Sequence, residues 1–321
     1  MALTITDVVS SFGAYYQQGS QGMQDLLGKL YRGTMFDNLF TTVNTTDTVI
    51  RKVRVTSGSI VQAFQKTFTD NASVTFTPVE LNLQKIKFDA KETFDDLEDS
   101  YIGFLTGNNL DRKTWPIARY IVEKILLPQM MEDIEMNLAY KGVYAAPVDG
   151  TPGAVGAAMD GFKKHIQNIV ASGALPGGNI INTGALSSTP DTLVGQIETF
   201  VAGIPDNVRV KPGLVIAMNP THALNYKKGM RSLYNANYAQ ESDLLRLANF
   251  PNITISEQPA MASDGKIFCT FKENLILGVK RGSKAVEVES VDRSVKMWHD
   301  HWRTYGVADA RLFYTNDIGN S

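Results

Sequence analysis

The sequence predicts an α+β protein, and three observations carry that expectation. Two stretches of period-two alternation lie near the start of the chain. An apolar stripe at helical spacing then runs without a break from Trp115 to Tyr140. After it comes a block in which helix and strand patterns alternate, and strand patterns return alone near the end. The 321 residues are 43% hydrophobic and 20% charged, the balance of an ordinary folded chain. At roughly 150 residues per domain, that length predicts about two domains.

Residues 1–45 are polar, with a short helical pattern from Met23 to Tyr31 between Gly22 and Gly33. No compact core is visible there, and the segment reads as an arm. Residues 49–56 alternate, with Val49, Val53 and Val55 on one face and Lys52 and Arg54 on the other, the pattern of a half-buried strand. A second strand is expected from Val74 to Phe88. Val79, Leu81 and Leu83 share one parity, whereas Ile86, Phe88 and Ala90 share the other, as a one-residue bulge would produce. Between the strands lies the polar stretch Ser57 to Ser73, anchored mainly by Phe64 and Phe68. Together these make a long hairpin-like excursion. Two strands alone are marginal in water, so a projecting hairpin must rest on something else.

Residues 89–99 set Asp89, Glu92, Asp95, Asp96, Glu98 and Asp99 against Lys91 alone, which reads as a solvated turn, with a cation site or a basic partner as the alternative. The long helix follows. Thr114 is placed to cap it and Pro116 sits in its first turn. Ile117, Ile121 and Ile125 begin the stripe, and Leu127, Met131, Ile134 and Leu138 continue it up to Gly142. Pro128 lies in the interior and should bend the helix, because its ring meets the carbonyl of Lys124. At 1.5 Å per residue the helix spans roughly 39 Å, the length of a strut.

The Pro/Gly-rich stretch Pro147 to Gly156 marks a hinge. Beyond it, helices are expected at Asp160–Ser172, Pro190–Ala202 and Thr221–Met230. The second has Thr189 as cap, Pro190 at its first position and Gly203 just past its end. Strands are expected at Leu214–Met218, Ile253–Ser256, Lys266–Phe271 and Leu275–Val279. Ala285 to Val288, Val295 to Tyr305 and Arg311 to Tyr314 complete the chain as extended segments.

Charge and chemistry exclude more than they include. The 31 basic and 33 acidic side chains leave a net charge of -2, unlike domains that wrap nucleic acid by bulk charge. Cys269 is the only cysteine, so no intrachain disulfide forms, and a reducing site of synthesis fits. Met1 to Ser20 does not read as a secretory signal, and no apolar run reaches the roughly 18 residues of a membrane span. His299 and His301 share a strand face and could begin a metal site, but further ligands do not follow, and polar or interface roles are expected instead. Trp298 and Trp302 share the opposite face and are expected to be buried in a core or an interface. Cys269 reads as a buried structural thiol. The carboxylates Glu132, Asp133 and Glu135 read as exposed helix charges. No phosphate loop, dinucleotide fingerprint or nucleophile elbow is present. No catalytic, cofactor or metal residues are therefore assigned.

The order of parts, together with Pro116-Ile117-Ala118-Arg119-Tyr120 leading into Glu132-Asp133-Ile134-Glu135, Met218-Asn219-Pro220-Thr221, and Tyr305-Gly306-Val307-Ala308-Asp309-Ala310-Arg311, resembles the major capsid proteins of tailed bacteriophages. That shell fold, of the Hong Kong 97 type, is shared with encapsulins. The resemblance implies an N-terminal arm at 1–45 and an extended loop with flanking strands at 46–90. A peripheral domain with a spine helix at 91–150, an axial domain at 151–280 and a return to peripheral strands at 281–321 complete it. It implies a structural subunit that assembles through hexamers and pentamers into an icosahedral virion shell around double-stranded DNA, which it encloses without sequence-specific or membrane binding.

Further implied partners are a separate scaffolding protein, since the arm begins almost at Met1, together with a portal and decoration proteins; synthesis is expected in the host bacterial cytoplasm. Phe64 and Phe68 are expected to pack on another copy with Lys66 beside a carboxylate there, and Pro128 to fit the helix to shell curvature. The rival readings are an encapsulin-like nanocompartment and a metal-dependent hydrolase built on His299 and His301. A tube protein is a third, disfavoured by the long helix.

Overall fold

The computed structural model describes residues 34–58, 61–69, 74–111, 115, 117–234, 246–247, 249–280, 287–291 and 294–319. The helical pattern expected at Met23–Tyr31, the cap expected at Thr114 and the residues Ala285 and Val286 lie outside them.

Two sheets organise the chain. The first is built around the long strand β12 (Ser294–Val307), which pairs with β4 (Gln84–Thr93) along one side. On its other side it pairs with β11 (Glu287–Val291) and then β10 (Leu275–Lys280), to which β1 (Thr41–Thr45) adds in parallel. The second sheet runs in the order β5 (Ile180–Ile181), β13 (Tyr314–Asn316), β9 (Phe268–Phe271), β6 (Leu214–Met218), β8 (Phe250–Glu257), β7 (Arg246–Leu247). Among the described residues the two remaining strands, β2 (Val49–Ser57) and β3 (Val74–Asn82), pair only with each other, as an antiparallel ribbon.

The sheets do not respect the expected break at residue 280. Strand β10, placed by sequence with the 151–280 block, lies in the first sheet, and β13, placed with the returning strands, completes the second. Residues 34–45 are likewise not a bare arm. Phe36, Leu39 and Phe40 enter the main core with Ile134, Leu138, Phe162, Leu277 and Tyr305. The polarity of their neighbours in sequence hid them: three apolar residues in and flanking a short 3-10 turn, Asp37–Leu39, carry no periodic signal.

The expected bulge near Leu83 is a break between strands. β3 ends at Asn82 and β4 begins at Gln84, so the chain leaves the ribbon and joins β12, and the apolar parity switches with the change of partner. The acidic run does not end in a turn. The backbone from Phe94 to Asn108 is helix α1, and Tyr101 and Leu105 of its later turns pack on Tyr120 and Ile121.

The long helix α2 is present as four uninterrupted segments, Ile117–Tyr120, Ile121–Leu126, Leu127–Asp133 and Ile134–Leu138. The second and fourth are π-turns. Pro128 therefore does not break the helix. The turn before it widens, and the Leu127 N–H donates to the Val122 carbonyl, five residues back. Such widening relieves the clash that a proline ring makes with the preceding turn. Helices α3 (Phe162–Ala171), α4 (Pro190–Ala202) and α5 (Pro220–Tyr234) follow. α4 and α5 bury Leu193, Ile197, Phe200, Tyr226 and Met230 against the second sheet. The expected Thr189 cap is not made by its side chain. The expected closing strand Arg311–Tyr314 begins instead as a 3-10 turn, Ala310–Leu312.

The root of the ribbon is seated on the first sheet through Ile50, Leu81, Leu83 and Ile276. Two glycines make room for it. A Cβ at Gly278 would lie 2.5 Å from Ile50 Cδ1, and one at Gly306 would lie 2.5 Å from Leu81 Cδ2.

Candidate assembly interface

Opposite residues on paired strands share a face, so the β2–β3 register sorts the ribbon into two surfaces. Ile50 with Leu81, Lys52 with Val79 and Arg54 with Thr77 form one. Arg51 with Glu80, Val53 with Pro78 and Val55 with Phe76 form the other. The first surface is the inner one: Ile50 and Leu81 are buried, and the next two pairs are half-buried. On the second, Val53 is 62% exposed, Val55 50% and Phe76 65%. The alternation read from sequence is present, and its sense is now fixed: Val53 and Val55 face solvent, and Lys52 and Arg54 turn inward.

The cause lies in what the body offers beneath the ribbon. Beyond Ile50 and Leu81 the inner face meets the turn at Asp309–Arg311. Arg311 Nη1 donates to Thr56 Oγ1 at 3.0 Å. Asp309 holds that guanidinium at 2.6 Å. Burial pushes the Asp309 carboxyl up, but hydrogen bonds from Arg311 outweigh it and hold the group below the usual carboxylate range. A polar underside suits that charged seat, and the apolar side is left facing out.

At the tip, Phe64 and Phe68 are each 92% exposed, and Lys66 is exposed with them. Gln62 and Thr69 tie the two sides of this segment, with Gln62 Nε2 donating to the Thr69 carbonyl at 2.7 Å and Thr69 Oγ1 donating to Gln62 Oε1 at 3.1 Å. The structure thus groups Phe64, Lys66 and Phe68 at one tip. Pro128 belongs to a different element, on an exposed position of α2.

On the inner face of β12, Met297, His299, His301, Arg303, Tyr305 and Val307 form a buried row. The two imidazoles stack with ring centroids 5.3 Å apart. Burial, followed by the charges of Arg303 and His299, holds His301 well below the usual imidazole range, so it is neutral. No group of three His, Cys, Asp or Glu residues suited to a metal ion occurs among the described residues. Trp298 and Trp302 are half-buried on the other face, where the Lys280 ammonium lies 5.2 Å from the Trp302 ring centroid. Cys269 is fully buried, its thiol pushed up to about 12 by burial.

Sequence reading missed one cluster altogether. Arg303 Nη2 lies 2.5 Å from Asp37 Oδ1 and donates to Tyr305 Oη at 2.9 Å, and Tyr305 Oη donates to Asp37 Oδ1 at 2.5 Å. Glu135, expected as an exposed helix charge, is half-buried beside it and accepts the Phe36 N–H at 3.1 Å. Burial raises its pKa. The available signal was the even spacing of Arg303 and Tyr305 on an otherwise inward strand face.

The whole arrangement is similar to solved phage shells. A chain of the satellite phage P4 procapsid, a structure that includes the size determination (Sid) protein, aligns at 14% identity over 98% of this chain and 97% of that one, with a TM-score of 0.59. A chain of the capsid of an empty GTA particle aligns at 16% identity over 88% of each, with a TM-score of 0.55. One from Mycobacterium phage Ogopogo aligns at 10% identity over 88% and 90%, with a TM-score of 0.50. No family model and no curated protein sequence matches the chain. At these identities the likeness is one of fold: this chain has the α+β fold of phage capsid proteins over nearly its whole length.

Proposed function

We propose that many copies of this chain tile the icosahedral shell of a phage virion around its double-stranded DNA, as a structural subunit rather than an enzyme. The observation that carries the reading is the outward apolar face of the ribbon, Val53, Val55 and Phe76, on a two-stranded element that, among the described residues, one subunit supports only at its root and underside. A ribbon of this kind is marginal in water, and an exposed apolar patch marks a contact with another molecule. Obligate interfaces commonly bury about 2,000–5,000 Å², and a projecting ribbon supplies area toward that total. In this reading Phe64 and Phe68 pack on another copy with Lys66 beside a carboxylate there. Hexamers and pentamers are the assembly units, and scaffolding, portal and decoration proteins are separate chains. The net charge of -2 accords with enclosing DNA without gripping it.

The test is negative-stain microscopy of the purified chain, followed by assay of particle contents. Closed shells or shell fragments are expected, with nucleic acid inside the native particle. A chain that stays monomeric at high concentration overturns the proposal, and particles filled with a cargo enzyme identify a nanocompartment instead.

A further inference from the structure

We propose that the underside of the β2–β3 ribbon and the turn at Asp309–Arg311 form a binding site for a doubly charged oxyanion, a phosphate ion by its chemistry. The bound ion holds the ribbon against the body of its own subunit. The inference concerns the single chain and stands apart from the shell reading.

The β2–β3 register places Lys52 and Arg54 on the inner face of the ribbon, opposite Val79 and Thr77. All four side chains are half-buried. From Ile50 to Thr56 this inner face carries no carboxylate. Across from it, Arg311 Nη1 donates to Thr56 Oγ1 at 3.0 Å and Nη2 to the Val55 carbonyl at 3.4 Å. Asp309 holds the same guanidinium, with Nη2 donating to Oδ2 at 2.6 Å. Burial raises the Asp309 carboxyl and the Arg311 hydrogen bonds lower it. The charge of Arg54 lowers it further, so Arg54 lies within electrostatic reach of that carboxylate. Yet Arg54 Nε is shut away from solvent with no hydrogen-bond partner. A buried donor without an acceptor is costly, and the natural complement of a guanidinium N–H is an anion.

Charge selects the ligand. The site sets Lys52, Arg54 and Arg311 against Asp309, an excess of two positive charges. Glu80 and Asp47 do not offset it, because both pair with Arg51 on the other face of the ribbon. A guanidinium presents a planar fork of N–H groups that fits phosphate oxygens. Thr77, opposite Arg54, adds a hydroxyl on the same face. A phosphate ion carries close to two negative charges at mildly alkaline pH, whereas a carboxylate or a nucleic-acid backbone phosphate carries one. The ion therefore joins ribbon cations to a body cation that they otherwise repel.

The experiment titrates inorganic phosphate into the full chain by calorimetry, in chloride at constant ionic strength and mildly alkaline pH. Saturable binding at one site per chain is expected. Arg54→Gln should weaken it by about tenfold or more, and Lys52→Gln by less. Amide hydrogen exchange in β2 and β3 should slow when phosphate is added to the unsubstituted chain but not to Arg54→Gln. If Arg54→Gln does not fold, Lys52→Gln and the exchange of the unsubstituted chain decide. No saturable binding to the unsubstituted chain overturns the proposal. So does equal binding by the folded variants, which places the ion elsewhere. Acetate binding as tightly as phosphate makes the site one for carboxylates and overturns the dianion. Tighter binding of a DNA oligonucleotide without terminal phosphates, lost in the same variants, assigns the site to a nucleic-acid backbone and overturns the free ion.

Discussion

Asp37 and Arg303, 266 positions apart in the chain, meet as an ion pair at 2.5 Å with both side chains 2% exposed. The pair fastens the segment before β1 to β12, the longest of the described strands. Its neighbour Glu135 brings α2 to the same point through the Phe36 N–H. Three distant parts of the sequence are thereby held in one register.

A buried pair stabilises little relative to an apolar replacement, but removing one partner strands the other charge. Asp37→Ala should therefore cost about 3–5 kcal/mol of unfolding free energy. The double replacement Asp37→Leu with Arg303→Met should recover most of that loss. Denaturant titration of the isolated subunit reads both, and an Asp37→Ala loss below about 1 kcal/mol would show that water reaches Arg303.

Acid should weaken the subunit through its buried imidazoles. Burial holds His165 at about 4 and His301 well below its ordinary value of 6.5. Between those values and 6.5 the unfolded chain binds protons that the folded chain refuses, so stability rises with pH there. It is present in full above about 6.5 and is lost as pH falls toward 4. His301→Leu should flatten this part of the profile. Melting temperatures of both proteins from pH 7 down to pH 4 check it, and parallel curves would contradict it.

Pro128 costs α2 a regular turn. Pro128→Ala should let the π-turn at Ile121–Leu126 revert to α-helical bonding and add up to about 3 kcal/mol to the helix. If the widened turn fits α2 to shell curvature, particles of this variant should be fewer or altered in diameter. Normal particles carrying an unchanged helix would refute that role.

Legibility followed periodicity and local chemistry. Helix α4 was readable to the residue, Pro190–Ala202, because proline opens it and Gly203 follows. Strands β6 and β10 were readable because both are short apolar runs bounded by turns. Helix α1 was hidden by its acidic start, since charge alone does not separate a turn from a helix's first turn. The inside-out ribbon was hidden for a different reason. Alternation tells which residues share a face but not which face meets the body, and here Asp309 and Arg311 made the polar side the inner one. The Asp37–Arg303 pair was invisible because nothing local links residues so far apart.

The most direct test of assembly through the ribbon replaces residues 58–72 by a short Gly-Ser turn and follows sedimentation beside the unsubstituted chain. That segment contains Phe64, Lys66 and Phe68, and its described residues have no place in the cores described above. The account predicts a soluble subunit that still unfolds cooperatively but sediments as single chains or small oligomers, while the unsubstituted chain sediments as closed shells. Normal-sized shells from the shortened chain, or a shortened chain that no longer folds, would contradict it.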